Sequence, residues 1–411
     1  MWLVNFSTMA TGNLSFGLFV LPMGGALGMD RSQFGWAVTT RRMAAGLSSY
    51  FVGRLLDRYG PRVLIPVSGI IIGLGLIAIS RANAPWQVIV LFGVLGMTGL
   101  AAPQNIMTSV PVAKWFQQKR GLALALATSG LGLGGVFFLP ITQLLIGAVG
   151  WRSTWLVMAV VFMALSVPLS AMFLRRQPED MGLQMDGRTA ATAAETGQPN
   201  AEVEEQSWTV RQAFRTATMW KLLLAFGLAG VAQGGASVHR IPYWIEKGFD
   251  PQVVSYSFAA DAGGAATMAL FAGWLADRIP IRVIGAGSFV GLSFAIGLML
   301  IGRNEYFLFG STITFGLSVG AGMIVQSYLF AAYFGRTFLG SIRGIVMPFM
   351  LISAGIGAPL VGYIRDATGS YVSSWWLILS IYLVAALIMS SARRPTLLST
   401  GQETSQGTPS L

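Results

Sequence analysis

GRLLDRYGPR (residues 53–62) and GWLADRIPIR (residues 273–282) decide how this chain is read, because each concentrates charge in a sequence with only 10% charged residues. Gly53, Asp57 and Arg58 return as Gly273, Asp277 and Arg278 at an offset of 220. KWFQQKRG (114–121) is answered in the same way by AYFGRTFLGSIRG (332–344), and Gly132 and Gly134 recur as Gly355 and Gly357. Self-similarity across half a chain implies a duplicated unit, each copy holding several elements.

The composition says what those elements are. A chain of 411 residues that is 54% hydrophobic, with 51 Gly and 12 Trp, has too little polar material to cover several soluble domains. Its mean hydropathy is +0.64. About 20 apolar helical residues cross a bilayer, and lipid excludes open sheet edges, so the long apolar runs are expected to be spanning helices. Twelve are expected, near residues 3–24, 34–55, 63–81, 86–110, 121–147, 152–174, 219–243, 253–275, 283–301, 306–330, 344–364 and 375–392. The first lacks a basic leader and a small-residue cleavage signature, so it is read as a retained span.

With no Cys and the single His239, the chain offers no disulfide, no thiolate nucleophile and no histidine-built metal centre. No cofactor is expected. An integral-membrane enzyme would need a nucleophile, a metal or an acid–base cluster, and these runs supply none.

Orientation follows from Lys and Arg, which are enriched in cytoplasmic loops. With the N-terminus inside, the cytoplasmic segments hold 18 basic residues and the outer ones seven. The net charge of +11 is therefore mainly a topology signal, and no segment offers a basic soluble face for nucleic acid. Both charged motifs fall on the cytoplasmic side. The expected division is a six-span bundle over 1–174, a cytoplasmic linker over 175–218, a second bundle over 219–392 and a disordered tail over 393–411. Within the linker, TVRQ (209–212) fits a capping box opening a short surface helix.

Gly-x-x-x-Asp-Arg-x-Gly-x-Arg between the second and third spans, with a degraded copy between the eighth and ninth, resembles the major facilitator superfamily over the whole chain. The resemblance implies an all-α integral membrane protein of twelve transmembrane helices in two pseudo-symmetric six-helix bundles. It also implies that Gly53, Asp57, Arg58 and Arg62, with Gly273, Asp277 and Arg278, form a cytoplasmic gating latch. Basic anchoring alone would need neither the Asp nor the Gly.

A narrower likeness is to monocarboxylate transporters and their bacterial relatives, including oxalate:formate antiporters. It rests on KWFQQKRGLALALATSGLGLGG (114–135), HRIPYWIEKGF (239–249) and GAPLVGYIRDATGSY (357–371). The first span lacks the Lys of mammalian members, and Ala265 stands four residues after Asp261 where they carry Arg. Ala269 stands where oxalate exchangers place Arg.

Ionisable residues inside spans are costly and usually face a cavity or a partner. Those well inside are Arg41, Arg42 and Asp261, with His239 and Arg240 near the outer end of the seventh span. Arg41 precedes Asp57 by 16 residues and Asp261 precedes Asp277 by 16, so equivalent helices carry opposite charges at one depth. Neighbours on a helix point about 100° apart, so one of Arg41 and Arg42 is expected to line the cavity while the other snorkels outward. Asn5 in the first span, Gln104 and Asn105 in the fourth, and Gln326 and Tyr328 in the tenth add polar candidates, each also explicable as a tie between helices.

The expectation is a secondary transporter of small organic anions, mono- or dicarboxylates, in the inner membrane, with both termini cytoplasmic and a monomer as the working unit. Guanidinium groups would bind the carboxylate. Asp261 is the favoured proton site, with pairing to an Arg as the alternative, and His239, read as near water, is the competitor. Efflux of amphipathic compounds and a non-transporting sensor are the other readings.

Overall fold

The computed structural model describes residues 1–12, 14–98, 100, 106–115, 120–175, 208–276, 278–335 and 339–395. The described residues are helical apart from short connections. Eight segments among them have the length and hydropathy to cross a membrane, one running through two apolar runs. Two long helices fall outside those eight, and these carry Arg41 and Arg42 in one and Asp261 in the other.

The expected first span is broken. It forms α1 (Trp2–Thr8), a 3-10 turn (Met9–Thr11) and α2 (Phe16–Leu27). Gly12 sits between them at φ +78°, and a Cβ there would lie 2.7 Å from the Trp155 ring. A left-handed residue cannot continue a right-handed helix, and only glycine fits both the angle and the space. The next rods are α3 (Arg31–Tyr59) and α4 (Pro61–Ser80), divided by Gly60 at φ +74°. The expected fourth span appears as α5 (Pro85–Met97) and α6 (Ile106–Trp115), and Gln104 and Asn105 lie outside the described residues.

The fifth and sixth expected spans form α7 (Arg120–Phe173), whose helical course is interrupted by Gly150 at φ +77°. Most of the linker, 176–207, and the tail from 396 lie outside the described residues. The capping box is present: Thr209 N–H donates to Gln212 Oε1 at 2.9 Å and Gln212 N–H to Thr209 Oγ1 at 3.4 Å, opening α8 (Val210–Phe214). Six rods follow: α9 (Ala217–Glu246), α10 (Pro251–Ala276), α11 (Ile281–Ile301), α12 (Glu305–Phe334), α13 (Leu339–Thr368) and α14 (Val372–Ser391).

Two apolar clusters hold these rods. One is built mainly from residues before 163, including Phe19, Phe34, Phe92, Trp155 and Phe162. The other is built mainly from residues after 207, including Trp244, Phe289, Phe330, Trp375 and Tyr382. In lipid there is little hydrophobic drive between helices, so close fit supplies the attraction. The stacking of Phe19 on Trp155, with centroids 4.1 Å apart, is one such contact. Two of the repeated glycines pack closely: Gly132 lies against Ala266 of α10, and Gly134 against the Phe6 carbonyl of α1.

The two clusters meet along a seam. α3 packs on α13, and the first leg of α7 packs on α10. The described contacts across it include Gly35 with Ala358 and Pro359, Thr39 with Gly355, and Gly135 with Ala262. They gather toward the end of the molecule where α3 and α10 begin and α9 and α13 finish, here termed the near end. The charged motifs 53–62 and 273–282 lie at the opposite, far end.

Candidate functional site

The charged residues inside the rods converge on the near half of the seam. Arg41 and Asp261 each lie ten residues into their helices, α3 and α10, and so at about 15 Å of depth. The equal depth read from the repeat is present. What each charge meets is different.

Arg41 is 5% exposed and turns into the first half of the chain. Its Nη1 donates to the Thr11 carbonyl at 3.1 Å and its Nη2 to Thr11 Oγ1 at 2.9 Å, with Phe92 5.8 Å away beneath the guanidinium. Breaking a helix at Gly12 leaves carbonyls without their usual donors, and a cation there satisfies them and complements the helix dipole. Arg41 therefore caps the broken span. Its Nε is buried without a hydrogen-bond partner.

Arg42 crosses the seam. Nη1 donates to the Ala354 carbonyl of α13 at 2.9 Å and Nη2 to Ser237 Oγ of α9 at 3.2 Å. These bonds use two of the five guanidinium donors. The expectation that one of the pair snorkels outward is corrected, since both turn inward and hydrogen-bond to protein oxygens that are neutral. The thin wall at this depth explains why: Thr39, one turn earlier, donates to the Gly355 carbonyl across the same seam.

Arg240 and Asp261 form an ion pair, Nη1 to Oδ2 at 2.8 Å, with side chains 5% and 15% exposed. The guanidinium stands over the Phe315 ring at 3.5 Å and over Phe258 at 4.7 Å. Its Nη2 is buried without a partner. Of the two fates considered for Asp261, pairing to an Arg is the one present.

His239, read as near water, is fully buried. Its Nε2 lies 2.9 Å from the Ala358 carbonyl and its Nδ1 3.2 Å from the Tyr371 hydroxyl. It is held on both sides because the last turns of α9 lie under α13 and Tyr371, where water does not reach.

The polar candidates divide. Asn5 is buried, donates to the Ala127 carbonyl at 2.7 Å and accepts from Thr108 Oγ1 at 2.9 Å, tying α1 to α7 and α6. Gln326 donates to the Met350 sulfur at 3.0 Å, and Tyr328 is 45% exposed. Sequence reasoning missed Ser237 and the Tyr382–Gln233 pair at 3.0 Å, hydroxyls and an amide that carry no signal beyond their polarity.

Of the far-end motif, the side chain of Asp57 and all of Asp277 lie outside the described residues. Arg58 and Arg278 are exposed, stacking over Tyr59 and Trp274, and Arg62 Nε donates to the Ala171 carbonyl at 3.0 Å. Among the described residues no cluster of His, Cys, Asp and Glu has the makings of a metal site.

The seam's tightness is testable at Gly35, where a Cβ would lie 2.5 Å from the main chain of Ala358 and Pro359. Gly35→Val is expected to cost about 2 kcal/mol through overpacking and to lower the melting temperature in detergent by several degrees. An unchanged melting temperature would show that the two backbones part without cost.

Residues 1–258 match the family model described as Major Facilitator Superfamily. Monocarboxylate transporter 11 of Homo sapiens is 27% identical over 409 residues, covering 94% of this chain and 82% of the relative. An uncharacterized MFS-type transporter, YcxA, of Bacillus subtilis is 24% identical over 368 residues, covering 87% and 85%. In fold the chain is similar to the nucleoside transporter NupG, with a TM-score of 0.74 at 13% identity, covering 95% of this chain and 98% of that one. A bacterial homolog of the lysosomal transporter Spinster, inward-facing and occupied, gives a TM-score of 0.65 at 14% identity, covering 95% and 92%.

Proposed function

From the premise that the chain belongs to the Major Facilitator Superfamily, as a multi-pass membrane transporter and not an enzyme, we propose that it moves small organic anions by alternating access. The substrates are mono- or dicarboxylates. One observation carries this reading: Arg41 and Arg42 stand side by side in the near half of the seam, and the oxygens they bond are neutral. Two cations paired with no carboxylate among the described residues, in a low-dielectric region, favour an incoming anion. The likeness to relatives named monocarboxylate transporters supports the same class.

The two bundles, 1–174 and 219–392, are the moving halves. Arg42 is the residue proposed to bind the carboxylate, because both its bonds cross the seam and must break when the near end opens. The freed guanidinium then takes the anion with bidentate geometry. Asp261 is the proposed coupling group, and a proton on it would release Arg240; His239 is the second candidate. By the distribution of Lys and Arg the far end is cytoplasmic, in the inner membrane, with both termini on that side. The far-end charges around Asp57 act as the cytoplasmic latch, and one chain suffices for transport.

Purified protein in proteoliposomes, offered labelled mono- and dicarboxylates with and without an inward proton gradient, tests the reading. At least one carboxylate should accumulate above protein-free vesicles and faster with the gradient. No carboxylate uptake together with extrusion of amphipathic compounds would replace this reading with efflux.

A further inference from the structure

Two of the sequence segments quoted above, HRIPYWIEKGF and GYIRDATGSY, have no part in anion binding as described, yet they meet at the near end. The Asp366 carboxylate on the last turn of α13 accepts from the backbone N–H groups of Arg31, at 3.3 Å, and Ser32, at 3.0 Å. These are the first two residues of α3, in the other half of the chain. Beside them Glu246, the last residue of α9, accepts from Arg31 Nη2 through Oε1 at 2.9 Å and from Arg365 through Oε2 at 3.3 Å. Arg31 Nη1 also donates to the Val20 carbonyl at 3.2 Å, so the cluster is anchored to α2.

The placement of Asp366 is informative because it is locally unfavourable. A carboxylate near the C-terminal end of a helix opposes the dipole of that helix. It becomes favourable only through the N-terminus of α3, whose first N–H groups have no partner within their own helix. The two termini also attract each other, one carrying partial negative and the other partial positive charge. The turn that holds Asp366 is fixed independently of α3. Gly369, at φ +73°, closes α13, Gly369 N–H donates to the Arg365 carbonyl, and Thr368 Oγ1 donates to the Ile364 carbonyl at 2.7 Å. Arg365 stacks over Tyr371, whose hydroxyl reaches His239 of α9.

We propose that Asp366 is a gating residue: its carboxylate, capping α3 from the opposite half, locks the near end closed, and Glu246 secures the lock by bridging Arg31 and Arg365. Opening that end breaks two charge-assisted hydrogen bonds and uncovers the α3 terminus in one step. The lock is separate from the charged motif, which lies at the far end. The proposal takes from the reading above only that the halves part at the near end.

The chain has no Cys, so a double-cysteine variant can be spin-labelled without background. Arg81→Cys and Arg303→Cys place labels on exposed residues at the near end, one in each half. Electron–electron distance distributions of the full chain in nanodiscs, with no substrate added, then report the ratio of open to closed near ends. Asp366→Ala is expected to raise that ratio roughly tenfold, as for loss of a charge-assisted hydrogen bond. Asp366→Asn should give a smaller rise, and Glu246→Gln roughly threefold, as for a partly exposed ion pair. Should Asp366→Ala fail to fold, Asp366→Asn and Glu246→Gln decide the matter. A ratio unchanged within about twofold in the folded variants would overturn the lock. Because no substrate is present, a shifted distance in a protein that moves no carboxylate would refute the substrate class and leave the lock standing.

Discussion

Proteoliposomes carrying Arg42→Gln are expected to lose carboxylate uptake by roughly a hundredfold, the equivalent of about 3 kcal/mol for a bidentate, charge-assisted contact. Gln keeps a donor for the Ala354 carbonyl, so the closed seam survives and the loss falls on the anion. Arg41→Gln should behave differently. That side chain caps the Thr11 carbonyl beside the break at Gly12, so its removal is expected to lower thermal stability by about 1–2 kcal/mol. Comparing uptake rates with melting temperatures for the two variants checks the division. If Arg41→Gln abolished uptake at full stability while Arg42→Gln transported normally, the assignment of the two arginines would have to be exchanged.

Arg240→Gln or Asp261→Asn alone is expected to destabilise the protein by about 3 kcal/mol, because each strands its partner as an unpaired charge in a site where the side chains are 5% and 15% exposed. The double variant Arg240→Gln/Asp261→Asn should regain most of that loss, since no charge is then left without a counter-charge. Additive losses in the double variant would show that the two side chains are stabilised separately rather than by each other. Transport separates stability from coupling. The double variant should exchange substrate across the membrane yet fail to accumulate it under a pH gradient. Full gradient-driven accumulation in Asp261→Asn would exclude Asp261 as the proton site, and His239→Gln would be measured next.

The repeat was the most legible part of the fold. Arg31 and Pro251 open equivalent helices at the offset of 220 that the charged motifs set, which is why the sequence alone puts Arg41 and Asp261 at one depth. The break in the first span was not legible, because Gly12 in an apolar run looks like any other packing glycine. Its role depends on Trp155, 143 residues away. His239 was placed near the water because position along a helix reveals depth but not what covers the side chain. The near-end cluster was hidden for the same reason: Asp366 and its α3 partners are more than 300 residues apart, and no periodicity links a carboxylate to a remote helix terminus.

Gly150 gives the long α7 hairpin a mechanical property. One non-helical residue joins two legs, leaving almost no compliance between them. The first leg bears on α10 through Gly132 and Gly135, and the second carries Trp155, whose ring fills the space beside Gly12. A displacement at the α7–α10 contact is therefore delivered, as by a lever without slack, to the hinge of the first span and to the arginine that caps it. The break in the first span and the α7–α10 seam are thus joined through one continuous rod-and-ring contact chain.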